Sequence, residues 1–192
     1  MSLKTVLPPQ QYLEIVSKSV GQLMAGPEVA GAALRRGAEQ TEVAAPHEVY
    51  SLGLADAADG DLWKAKKTAW RYLVMQGNRA VAAAELSDAA GGTPVFTHLN
   101  TGPFVHGTKQ AIAQAETLKV VAEHNFVVRL LAIPALSVLA LWLHGENQDL
   151  LCPMPPTDSH LTANQWYSPA EFFKLLAPVA AAHQAFDNSP HA

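Results

Sequence analysis

Charged residues are scarce in this sequence of 192 residues: they make up 16% of it, where soluble domains average about a quarter. The hydrophobic share is 49% and the net charge is only −4. Disordered chains combine low hydrophobicity with high net charge, so this composition excludes a disordered protein. A folded chain of this length can build one sizeable core, and we predict a single domain over residues 1–192.

Cysteine is nearly absent as well. Because Cys152 is alone, it cannot form a disulfide within the chain, and nothing in the sequence requires an oxidising compartment. The first residues show no apolar stretch before a small-residue cleavage site, so we expect no secretory leader. The apolar run 130–143 is shorter than the roughly 18–20 residues that cross a bilayer, and Pro134 interrupts it. We therefore expect a cytoplasmic protein with no membrane segment.

Several ligand-binding and catalytic motifs are missing too. The acidic balance, with a pI near 6.0, argues against a nucleic-acid partner, which requires a basic surface. The sequence contains no P-loop, no dinucleotide-binding glycine motif and no Gly-x-Ser-x-Gly elbow. Its eight histidines include no His-x-x-x-His pair, and a single cysteine fits no zinc pattern. We expect no cofactor and no metal.

The first half of the chain predicts one helix followed by strands. Apolar residues at three- and four-residue spacing predict an amphipathic helix over 10–24. The stretch 26–46 is either a short alanine-rich helix over 28–36 or a flexible connection. Strand character begins after it, and Gly77-Asn78 between two apolar runs predicts a hairpin, because both residues tolerate positive φ.

The second half predicts a helix to about 123, then strands. Because Pro134 cannot donate to a ladder, we expect strand segments 127–133 and 136–143 on either side of a bend. The second segment is apolar on both faces, which is typical of a central strand covered on both sides. A short return strand over 149–152 is expected at the sheet edge.

A final helix should begin at a capping box, Ser168-Pro169-Ala170-Glu171, and the tail 187–192 should fray. Together these elements predict an α+β fold with three main helices and a mainly antiparallel sheet of about five strands. The expected order is α-β-β-β-α-β-β-α, with the central strand around 136–143.

One polar cluster, where a strand passes into a helix, is the candidate ligand site. Its members are Thr97, His98, Asn100, Thr101 and His106. At such a junction unpaired N–H groups and the helix dipole favour an anion, and the histidines can bind a phosphate or carboxylate or act as acid and base. The alternative is that Thr101 caps the helix and Asn100 shapes the turn, while the histidines lie at the surface.

Two resemblances accompany these patterns. Residues 100–105, 129–136 and 142–143 resemble segments of uncharacterised bacterial proteins of this size, which implies no particular function. The element order is similar to that of the small acidic chaperones of bacterial type III secretion, but this similarity is one of order only and implies no function.

Two functions follow from the sequence. The sequence has no catalytic motif, a net negative charge and a strand that is apolar on both faces and must be buried. We therefore predict a non-catalytic adaptor- or chaperone-like protein that binds another protein and forms a homodimer. The alternative is a small-ligand-binding protein or enzyme with its site at the 97–106 junction.

Overall fold

The computed structural model describes residues 3–4, 6–25, 41–88 and 93–187. This part of the chain forms an α+β fold with eight strands and five α-helices, so the predicted class is confirmed, while the predicted numbers of strands and helices were too low. The helices are Gln10–Ala25 (α1), Leu54–Asp59 (α2), Pro103–Ala115 (α3), Lys119–Glu123 (α4) and Pro169–Asp187 (α5). The strands are Leu3–Lys4 (β1), Thr41–Ser51 (β2), Lys66–Gln76 (β3), Arg79–Asp88 (β4), Pro94–Asn100 (β5), Phe126–Ile133 (β6), Val138–Gly145 (β7) and Asp149–Pro153 (β8).

All eight strands belong to one sheet, in the order β5-β4-β3-β2-β6-β7-β8, with β1 paired beside β6. The β2–β6 and β1–β6 pairs are parallel and the others antiparallel. The strand predicted around 136–143 is β7, which begins only at Val138 because Pro134–Leu136 forms a 3₁₀ turn. It pairs on both sides, but β2 occupies the middle of the order, and β8 lies at the edge as expected.

The prediction for 26–46 was wrong at its end. Residues 26–40 lie outside the described part of the chain, but Thr41 already begins β2. The register against β3 shifts between Ala44 and His47, and Ala45 has a φ of 49°. Pro46 therefore lies in a β-bulge, where a residue without an N–H donor is tolerated.

Three local predictions are confirmed. The helix expected over 10–24 is α1, and the hairpin expected at Gly77-Asn78 joins β3 to β4. At the start of α5, Ser168 N–H donates to Glu171 Oε2 at 2.9 Å, and Glu171 N–H donates to Ser168 Oγ at 3.3 Å. This is the reciprocal pattern of a capping box. The helix ends at Asp187, and 188–192 lie outside the described residues.

Helices pack on both faces of the sheet. Face A carries Trp70, Tyr72 and Trp142, with α1 over its β3–β4 half and α2 and α5 over its β6–β8 half. Face B carries Arg71 and Leu141, with α3 and α4 packed on it. Strand β7 is thus buried on both sides by helices of the same chain. No helix in the described ranges is long and apolar enough to span a membrane.

Candidate functional site

A cavity of about 520 Å³ lies between face B and the first turn of α3. Four strands in the middle of the sheet form its floor: β2, β3, β6 and β7. Its polar lining comes from Ser51, Thr68, Arg71, Glu85, Asn100, Thr101 and Ser137. Its apolar walls include Val49, Phe104, Val105, Ala132, Val138 and Leu139. Polar residues are as frequent as apolar ones in this lining, but most of the lining surface is apolar, as is common in small-molecule sites.

A buried ion pair forms one wall of the cavity. Arg71 Nε lies 3.4 Å from Glu85 Oε1, and the two side chains are 4% and 13% exposed. Glu85 is also 3.1 Å from His98 Nε2 and accepts a hydrogen bond of 3.4 Å from Asn100 Nδ2. Arg71 Nε, in contrast, makes no hydrogen bond within the described residues. The carboxylate thus contacts three side chains, and Arg71 Nε faces it as an ion pair without hydrogen-bond geometry.

Bulges in the sheet bring this pair together. A regular two-residue hairpin that pairs Gln76 with Arg79 would place Arg71 opposite Ala84. The register shifts by one between Val74 and Met75, so Arg71 faces Glu85 instead. Since neighbouring residues on a strand point to opposite faces, the shift also brings Glu85 onto face B.

A second bulge brings β5 to the same site. Glu85 pairs with His98, whereas Leu86 pairs with Phe96, so Thr97 is the additional residue. The Thr97 hydroxyl donates to the Glu85 carbonyl oxygen at 3.0 Å. This bulge places His98 and Asn100 beside the Glu85 carboxylate.

His47 lies directly opposite Arg71 on β2 and is only 1% exposed. Its Nδ1 is 2.7 Å from the Ala45 carbonyl oxygen, so Nδ1 carries the proton and Nε2 does not. Burial lowers the pKa of His47 from 6.5 to about 4; the hydrogen bond to Ala45 opposes this shift and the positive charge of Arg71 adds to it. His47 is therefore neutral at physiological pH, behind the cavity wall.

The structure separates the five residues predicted for the site. Asn100 and Thr101 line the cavity, and His98, half-exposed, contacts Glu85 at its edge. Thr97 supports the backbone of β4. His106 is exposed on α3, and within the described residues neither it nor Thr97 lines the cavity. A ligand in the cavity would thus meet Asn100 and Thr101 directly.

One interpretation of the sequence placed Thr101 at the N-cap of α3, and the structure contradicts it. The N-cap is Gly102, with a φ of 110°, and no side chain described near it makes a capping hydrogen bond. Only glycine adopts this φ readily, so the turn before Pro103 depends on the backbone conformation of Gly102 and not on a hydrogen bond from a hydroxyl cap. The side chain of Thr101 is left free to line the cavity.

Sequence reasoning missed Arg71 and Glu85, the two charged residues of the cavity. Each interrupts an apolar strand: Arg71 stands between Trp70 and Tyr72, and Glu85 follows a run of alanines. A lone charge in a buried strand requires a partner, and this signal could have paired them. Which residues of β3 and β4 lie opposite each other could not be predicted from the sequence, because the pairing depends on the bulge between Val74 and Met75.

A second polar cluster lies on face A, and its side chains contact one another. Arg129 lies over the rings of Tyr50 and Trp142, at 4.8 and 5.0 Å from their centres. Glu48 contacts Arg129 at 3.6 Å and Lys67 at 3.0 Å, and accepts a hydrogen bond from Tyr50. The cluster ties β2, β3, β6 and β7 together across the centre of face A.

The other candidate reactive groups do not assemble a site. Cys152 is buried on face B, and burial raises the pKa of its thiol to about 12, so it stays protonated. Across the described ranges, no three His, Cys, Asp or Glu side chains are grouped to hold a metal ion.

Comparison with known proteins identifies no relative: no protein-family model, no curated protein and no solved structure matches the chain.

Proposed function

We propose that this chain is a small-ligand-binding protein whose site is the cavity between face B and α3. The observation that carries the proposal is the buried Arg71–Glu85 ion pair, which lines the cavity together with Asn100 and Thr101. Charged side chains are rarely buried unless they are paired, and a few polar groups that converge in a cavity are a common feature of ligand sites.

The size and lining of the cavity support this proposal. Ligand sites typically measure about 300–1,000 Å³ and combine apolar walls with a few convergent polar groups. Here most of the lining residues belong to α3 and the sheet, which are regular elements and hold their side chains in fixed positions. The hydroxyls of Ser51 and Thr101 and the amide of Asn100 add hydrogen-bonding groups that would orient a ligand.

Filling the cavity tests the proposal. Ala132 lines it, so a phenyl ring introduced by Ala132→Phe should occupy the ligand's space. Ala113→Phe introduces the same ring on the exposed surface of α3 and serves as the control. Ligand-observed NMR with a mixed fragment library should find molecules that bind the wild type and Ala113→Phe but not Ala132→Phe. If every fragment binds all three folded proteins equally, the cavity is not the site.

The homodimer and the adaptor- or chaperone-like role in protein binding remain predictions of the sequence. One of their grounds was that the apolar strand at 136–143 requires cover. Helices α3 and α5 of the same chain pack on its two faces, so that argument no longer requires a partner. Small-ligand binding has the more specific support.

A further inference from the structure

We propose that the ligand of this cavity is a single-chain amphiphile that lies across the strands of face B, with a hydroxyl head beside β3–β5 and its chain over β6 and β7. The inference rests on the proposed function and adds the class and the orientation of the ligand. Three features carry it: the strand order under the cavity, the polarity of its two ends, and its width.

The residues that line the cavity follow the strand order of the sheet. Glu85 on β4 lies opposite Arg71 on β3. Ser51 on β2 pairs with Ala132 on β6, which in turn pairs with Leu139 on β7. Neighbouring strands lie about 4.8 Å apart, so the four steps from β4 to β7 span about 19 Å. The cavity is therefore an elongated trough that crosses the strands.

The two ends of this trough differ in polarity. The end at β3–β5 is lined by the charged and polar side chains of Arg71, Glu85, Asn100 and Thr101. The end at β6 and β7 is lined by Ala132, Pro134, Val138 and Leu139, together with the hydroxyl-bearing Ser137. Burying a polar group without a hydrogen-bond partner is costly, and burying an apolar chain is favourable. A ligand that fits both ends has a polar head and an apolar tail.

The head of the ligand meets an amide and a hydroxyl. Arg71 and Glu85 lie 3.4 Å from each other and are 4% and 13% exposed, so each charge already has its partner within the protein. Asn100 and Thr101 line the same end of the trough. Amide and hydroxyl side chains both donate and accept hydrogen bonds, and a hydroxyl head does the same. Thr101 is exposed, so a head beside it also stays in contact with water.

The width of the trough limits the ligand to one chain. A volume of about 520 Å³ spread over about 19 Å leaves a mean width of about 6 Å. A peptide helix is about 10–12 Å wide with its side chains, and a strand that packs face to face on a sheet needs about 10 Å. Both are too wide, whereas one unbranched hydrocarbon chain is not. Pro134 at the β7 end is exposed, so the trough does not close over the end of the chain.

Calorimetry with straight-chain alcohols tests the ligand class. 1-Butanol, 1-hexanol and 1-octanol share one head, and we expect their affinity to rise about fourfold per buried methylene. 2-Propyl-1-pentanol has the atoms of 1-octanol in a branched form. It should bind at least about tenfold more weakly, because the wider molecule overpacks the trough. Octanoate should also bind more weakly than 1-octanol, because Arg71 is already paired.

Two variants test the orientation. Thr101→Val should weaken all three straight alcohols by a similar factor, about threefold to tenfold, because they share the head. Ala132→Phe, at the tail end, should weaken 1-octanol more than 1-butanol and so remove the gain from a longer chain. Thr162→Val and Ala113→Phe make the same changes at exposed positions outside the trough and should leave all affinities unchanged. If Ala132→Phe does not fold, Ala132→Val makes a smaller change in the same direction.

Each other outcome overturns the ligand class, the orientation or the function. If 2-propyl-1-pentanol or octanoate binds as tightly as 1-octanol, and the Ala132 variant weakens that binding, the class is wrong and the proposed function stands. The class is equally wrong if library fragments bind in an Ala132-dependent way while 1-octanol does not. If Thr101→Val acts mainly on 1-octanol while the Ala132 variant weakens all three alcohols equally, the orientation is wrong. If no alcohol and no library fragment is sensitive to the folded Ala132 variant, the proposed function itself fails.

Discussion

Replacing Glu85 by glutamine should cost this fold about 3 kcal/mol in free energy of unfolding. The substitution keeps the size of the side chain but leaves the 4%-exposed guanidinium of Arg71 without its counter-charge. At the observed 3.4 Å separation and an effective dielectric constant of about 20, the lost attraction is about 5 kcal/mol. Part of this loss is recovered because a neutral glutamine no longer pays to be desolvated, which leaves a net cost near the lower end for a broken buried pair.

Urea unfolding monitored by tryptophan fluorescence measures this cost. Glu146→Gln, at an exposed position, should change the free energy of unfolding by less than about 0.5 kcal/mol. The double variant Arg71→Met/Glu85→Gln removes both charges and should be more stable than the sum of the single effects predicts, because neither partner is left unpaired. A cost below about 1 kcal/mol for Glu85→Gln, or strictly additive effects in the double variant, would refute a buried, mutually dependent pair.

Three further predictions test other parts of the fold. The folded-state pKa of His47, about 4, lies below its unfolded value of 6.5, so the unfolded state takes up the proton first as pH falls. The free energy of unfolding should therefore fall by about 3 kcal/mol between pH 6.5 and pH 4. Urea unfolding at a series of pH values measures this dependence, and His47→Asn should weaken it. Ser168→Ala should cost about 1 kcal/mol as a lost helix cap, while Thr101→Ala, at a position that does not cap α3, should cost clearly less in the same assay. Gly21 lies within α1, and an added Cβ there would have nothing within 4 Å, so Gly21→Ala should raise the free energy of unfolding by about 0.5–1 kcal/mol. At Gly145 an added Cβ would lie 2.8 Å from a backbone carbonyl oxygen, so Gly145→Ala should lower the melting temperature. Equal shifts of the melting temperature in the two variants would contradict the packing at the end of β7.

The elements that could be predicted from the sequence depend on neighbours along the chain. Helix α1 was readable because its apolar spacing is that of an amphipathic helix. The capping box at Ser168 and the turn at Gly77-Asn78 were readable because each needs only a few consecutive residues. The α+β class followed from the sum of these local features, without any knowledge of the strand order.

The unpredicted parts depend on contacts between distant segments. The start of β2 was assigned to the stretch 26–46, which was predicted to be a short helix or a flexible connection. Pro46 can lie within the strand because a bulge accommodates it. The partnership of Arg71 with Glu85 was hidden for a similar reason: a hairpin read without its one-residue shift leaves Glu85 on the opposite face. Single-residue register shifts leave no clear mark in composition or periodicity, yet they decide which side chains meet.

The same sheet holds two Arg–Glu pairs, one on each face, and their surroundings differ. On face A, Arg129 is stacked over Tyr50 and Trp142, so protein groups occupy both its charge and its flat surface. On face B, none of the described aromatic rings stacks on Arg71, and its side chain borders a cavity. A buried ion pair is often no more stabilising than a well-packed apolar pair of the same volume. Stability alone therefore gives little reason for a charged pair beside a cavity, whereas the recognition of a polar group on a ligand does.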